Sequence, residues 1–75
     1  MFEAAVFSIC IKGELDKSWS DYFGVQSMSV VSDGVRSPVT TILSEPLDQA
    51  GLLGLLNRLN SLGLAVVSVQ RLPTN

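Results

Sequence analysis

The chain has 75 residues and a net charge of −2, the size of one small domain spanning residues 1–75. Its five cations, Lys12, Lys17, Arg36, Arg58 and Arg71, are scattered, so there is no basic footprint for nucleic acid or for an anionic membrane surface. Histidine is absent and cysteine occurs once, at Cys10, which removes the commonest general base, the usual metal-ligand sets and any internal disulfide.

Ala5, Phe7, Ile9 and Ile11 alternate with Val6, Ser8, Cys10 and Lys12, the period of a strand. The odd set is the more apolar and should face the core, leaving Val6 and Cys10 on the other side. Gly13 ends this strand. From Asp16 to Gly24 the spacing predicts one or two helical turns, capped by Asp16 or Ser18 and stopped by Gly24. Trp19, Tyr22 and Phe23 share one side of that turn, and a helix so short must be docked by its aromatics. Gln26–Ser32 reads as a second strand, with Met28 and Val30 on one face and Val25, Ser29 and Val31 tending to the other. Asp33-Gly34 is a turn signal, and the third strand runs from about Val39 to Ser44 behind Pro38.

The stretch Asp48–Gly63 is the one long helix. Leu52, Leu55, Leu56, Leu59 and Leu62 recur at three-and-four spacing and define its buried face, with Leu56 at the centre. Asp48 is placed to cap the first turn, with Leu47 and Leu52 at the positions of a hydrophobic staple. Gly63 suits the left-handed position after the last turn, which brings Leu64 against Leu59. Leu64–Leu72 is the fourth strand, rich in valine.

A helix between the third and fourth strands requires a crossover onto one sheet, so the expected fold is α+β: a two-layer sandwich of a four-stranded sheet, one long helix and a short aromatic helical turn. The order is strand, short helix, strand, strand, long helix, strand. The aromatic turn looks too short to cover a sheet, which favours a meander of the first three strands over a ferredoxin-like arrangement.

The pattern Gly13-Glu14-Leu15-Asp16-x-x-Trp19-Ser20-Asp21-Tyr22-Phe23 is followed by Asp48-Gln49-Ala50-x-Leu52-x-Gly54-Leu55-Leu56. With Leu62-Gly63-Leu64-x-x-x-Ser68-Val69-x-Arg71, it resembles a group of small uncharacterised bacterial proteins. The resemblance covers most of the chain and implies a compact cytosolic α+β unit with no catalytic residue to carry over. Relatives have a tighter hairpin after the second strand, and Gly34-Val35-Arg36-Ser37-Pro38 departs from it. A looser likeness, at the level of fold alone, is to ligand-sensing domains of the ACT type.

Candidate sites are few. Glu14, Asp16 and Asp21 cluster around the aromatic turn, but without calcium-loop spacing they read as capping and solvation. Ser20, Ser27 and Ser68 lack a base, so no catalytic residue is assigned and an enzymatic role ranks last. Gly51 and Gly54 lie inside the helix, where no phosphate loop would sit. No metal or cofactor is expected. Trp19, Tyr22 and Phe23 are candidate contacts for a ligand or partner. On the long helix Ala50, Gly54, Asn57 and Ser61 form a small, uncharged stripe away from the leucines.

With 47% apolar and only 16% charged residues, a chain this short keeps little charge to separate its copies. The expectation is therefore a cytoplasmic structural or interaction module that self-associates, most simply as a homodimer. Its interface would lie on the sheet face bearing Val6 and Cys10 or on the helix stripe, and failing both at the edge of the sheet. The alternative is a small-molecule sensor with its pocket near the aromatic turn.

Overall fold

The computed structural model describes residues 4–32 and 37–73. Strand β1 (Phe7–Lys12) leads through α1 (Trp19–Phe23) to β2 (Val25–Val31), and β3 (Val39–Ser44) leads through α2 (Gln49–Ser61) to β4 (Ala65–Arg71). The strands form one sheet in the order β2-β3-β1-β4. Both β1 and β2 pair antiparallel with β3, and β4 pairs antiparallel with β1. It follows that β1 runs parallel to β2 and β3 parallel to β4, each pair joined across an intervening strand by a segment containing a helix. The protein is an α+β two-layer sandwich.

The strand order corrects the expected meander, because β3 lies between β1 and β2. This is the ferredoxin-like arrangement. The helix in the first connection is only five residues long, but the whole segment from Gly13 to Gly24 makes the crossing. Roughly a dozen residues suffice for that. Segment length, not helix length, decides the topology.

Cross-strand register sets the core. On the helix side, Met28, Ile42, Ile9 and Val69 form one row and Val30, Thr40, Ile11 and Val66 the next. Ile9, Ile11 and Ile42 are fully buried, with Leu55 and Leu59 of α2 packed into the same cluster as Phe7, Phe23 and Met28. The leucine face thus centres on Leu55 and Leu59. Leu56, expected at its centre, is only half-buried, and Leu62 is 43% exposed. On a helix turning about 100° per residue, Leu56 is rotated off the Leu55–Leu59 axis towards the flank of the sheet. Leu62 lies past the last turn, as the C-cap. Val25 also departs from its expected face. The register shifts between Val25 and Ser27, and this bulge lets Val25 pack against the core.

Two buried hydroxyls of β3 hold neighbouring backbone, one fastening the first crossover and the other the start of β1. Thr40 Oγ1 accepts the Leu15 amide at 3.0 Å and donates to the Gly13 carbonyl at 2.7 Å. Ser44 Oγ accepts the Phe7 amide at 2.9 Å. Among the described residues no buried side-chain nitrogen or oxygen lacks a partner. The long helix is closed at both ends as its sequence implies. Asp48 accepts from the Gly51 amide. At the other end Gly63 takes φ +77°, and its amide donates to Asn60 while that of Leu64 donates to Leu59, the bonding of a Schellman ending. The Asp33-Gly34 turn, and most of the segment that departs from the resembling proteins, lie outside the described residues.

Candidate interaction surfaces

The face of the sheet away from α2 is nearly free of charge. Its rows are Ser27, Leu43, Ser8 and Gln70; Ser29, Thr41, Cys10 and Ser68; and Val31, Val39, Lys12 and Ala65. Lys12 is the one ionic side chain among them. Cys10 stands at the middle, half-buried, with its Sγ 3.7 Å from Thr41 Oγ1. Val6 is half-buried just before β1, and its carbonyl accepts the Leu72 amide. Such a surface can be wetted through its hydroxyls or covered by another layer.

On α2, Ala50, Asn57 and Ser61 are exposed and Gly54 is half-buried. Ser61 Oγ donates to the Asn57 carbonyl, one turn back. Gly54 and Ala50 also border a groove of about 280 Å³ between α2 and the end of α1. Phe23, Leu47 and Leu55 supply its apolar lining, and Arg58 is the one charged residue along it. A five-residue α1 covers little of the sheet, which leaves this space open beside the long helix.

The aromatic turn is a cluster of three rings with unequal burial, Trp19 stacked on Phe23 and Tyr22 edge-on to both. Phe23 is buried, Trp19 is half-buried and Tyr22 is 58% exposed. Ring centroids stand 5.3 Å apart for Trp19 and Tyr22, 5.9 Å for Trp19 and Phe23, and 5.1 Å for Tyr22 and Phe23. Only Phe23 reaches the groove. Before it, Asp16 accepts the Ser18 amide at 2.9 Å, and that backbone hydrogen bond holds its carboxyl below the usual range. Ser18, at the N-cap, makes no capping bond with its own side chain. Glu14, Asp16 and Lys17 line a second, more open depression with Ser29 and Val30. Among the described residues no group of His, Cys, Asp and Glu could hold a metal ion, and no helix is long and apolar enough to cross a membrane.

A further surface lies at the edge of the sheet, on β4, to which the sequence assigned no residue. Every residue of β4 is exposed, with Val66 and Val69 at 39% and Val67 at 63%. The register shift opposite Cys10 and Ile11 leaves Val67 without a partner on β1. Val66 and Val69 lie in the rows on the α2 side of the sheet, beside a helix that exposes Leu53 to 52%. The signal was present as Val66-Val67, two adjacent large apolar residues in a strand where alternation would put one in water.

No curated protein and no solved structure matches the chain. Residues 6–70, which take in both helices and every strand but for Arg71 at the end of β4, match a domain of unknown function, DUF8691, and the chain belongs to that family.

Proposed function

We propose that the chain is an interaction module that acts by self-association, as a homodimer in the cytoplasm, with no chemical step of its own. One observation carries this reading. The edge strand β4 is exposed along its whole length, with Val66 and Val69 at 39% and Val67 at 63%, an apolar surface that a second copy would remove from water. The cytoplasm is the simplest setting for a fold whose one cysteine, Cys10, is free.

The test is mass in solution by light scattering at micromolar concentration. The expected value is twice the chain mass. A mass of one chain across the range overturns the proposal.

A second reading, a small-molecule sensor, is favoured by the groove beside Phe23, where Arg58 is the only charge along an apolar lining. It predicts that small carboxylates change the fluorescence of Trp19, whose ring stacks on Phe23. An unchanged spectrum across a carboxylate panel removes that reading.

A further inference from the structure

We infer that the partner of the exposed β4 edge is the β4 of a second copy, paired antiparallel about a two-fold axis into one eight-stranded sheet. This rests on the self-association reading and names its seam. An edge strand presents a row of unpaired backbone donors and acceptors, so a strand is the occupant it fits. Natural edges are guarded by charge, proline or a bulge; β4 has no proline, its one charge is Arg71 at the end, and its one irregularity is the unpaired Val67. The opposite edge, β2, is equally free of charge and proline but is not open in the same way. There β2 alternates Ser27 and Ser29 with its apolar residues, and α1 packs against it.

Antiparallel pairing of identical strands is self-complementary, as a two-fold interface requires. With the axis near Val67 or Ser68, the two Arg71 side chains lie at opposite ends of the seam, and no like charges meet. An axis normal to the sheet keeps both α2 helices on the same face. Val66 and Val69, on the helix side of β4, then meet their counterparts across the seam, and part of their exposed surface is removed from water. The two-stranded contact would be about 23 Å long, with the α2 of each copy packed on its own β4 beside it.

The experiment compares the parent with Val67→Lys, Cys10→Glu and Gly54→Glu, by light scattering over a concentration series and by circular dichroism. Val67 is exposed, so a lysine there should leave the fold intact while placing two like charges close to the axis. The dimer dissociation constant should rise by about a hundredfold. Cys10→Glu and Gly54→Glu, on the open sheet face and the helix stripe, should remain dimeric. A dimeric parent in which Val67→Lys is folded and equally dimeric overturns the seam while leaving self-association standing. A monomeric parent overturns both.

Amide hydrogen exchange of the parent provides an independent reading if Val67→Lys fails to fold. Outward-facing β4 amides should lose protection on dilution through the dissociation constant. Protection of β4 that is unchanged by dilution, while the mass falls to one chain, overturns the seam.

Discussion

The carboxylate of Asp48 accepts the amide of Gly51 at 2.7 Å, and the space that a side chain at Gly51 would take is bounded by that same carboxylate. A Cβ built there stands 3.3 Å from Asp48 Oδ1 and 3.2 Å from Leu47 Cδ2. The cap and the apolar residue before it therefore close tightly over a glycine, which explains one of the two glycines inside α2. Gly54 has no such neighbour: among the described residues nothing lies within 4 Å of its Cβ position.

The two glycines should answer differently to alanine. Gly54→Ala should stabilise the isolated chain by about 1 kcal/mol, the ordinary difference in helix propensity. Gly51→Ala should gain less, because Leu47 and Asp48 must give way, and Asp48→Ala should cost about 1 kcal/mol through the lost cap. Denaturant midpoints of the three variants check the ranking. Equal gains at Gly51 and Gly54 would show that the cap tolerates a side chain.

The core makes a second ranking. Leu59 is fully buried against Ile9, Ile11 and Ile42, so Leu59→Ala should cost about 2–5 kcal/mol as a cavity opens. Half-buried Leu56 has less contact to lose, and Leu56→Ala should cost distinctly less. Urea denaturation separates them. A larger loss at Leu56 would mean that its exposed side is covered by something beyond the single chain.

How much of this was legible in the sequence depends on how local each cause is. Asp48 and Gly63 were readable as the ends of α2 because capping and left-handed glycine act within four residues of themselves. Strand periods were readable for the same reason, and β3 was placed at its observed limits, Val39–Ser44. The order of the strands was not, since it depends on which edge of β3 each neighbour takes. Leu55 and Leu59 could not be separated from Leu56 by spacing alone, because the helix rotation is fixed by the sheet beneath it. The exposure of β4 follows from its edge position. Of the candidate surfaces, Cys10 and the stripe of Ala50, Gly54, Asn57 and Ser61 were legible from alternation and the helical wheel. The groove beside Gly54 was not, because it is made by two helices that are distant in sequence.

Gly63 ends α2 at φ +77°, where a β-branched side chain is strained. Among the described residues nothing lies within 4 Å of its Cβ position, so the strain is that of the backbone. Gly63→Val should destabilise by about 1–2 kcal/mol through the backbone alone, with Gly63→Asn milder. Thermal melts of the pair would show it. A neutral valine would contradict the left-handed ending.

Asp16 gives a small pH effect with a definite sign. The Ser18 backbone hydrogen bond lowers its pKa from the ordinary 3.8. Its contribution is therefore present above the unfolded value and is lost as pH falls through the lowered folded value. Asp16→Asn should flatten the acid limb of the stability curve near and below that range, and leave the neutral region less changed. Guanidine titrations at a series of acidic pH values read the difference. An acid limb identical to the parent's would remove Asp16 as a contributor.

Thr40 is the most instructive polar residue in the core. It is fully buried on β3, and its hydroxyl both accepts from Leu15 and donates to Gly13, in the segment that carries the chain from β1 towards β2. Valine has nearly the same shape but cannot make either bond. Thr40→Val would leave the Leu15 amide and the Gly13 carbonyl without this partner, at a cost of about 1–3 kcal/mol for each group that stays buried and unsatisfied. Thr40→Ser keeps the hydroxyl and loses a methyl, so it should cost less than Thr40→Val if the hydrogen bonds dominate. If packing dominates, the order reverses. Denaturant midpoints give the totals, and amide exchange at Leu15 shows whether the crossover has come loose from the sheet. A Thr40→Val protein as stable as the parent, with Leu15 still protected, would mean that the crossover is held by Phe23 and its aromatic neighbours rather than by the hydroxyl.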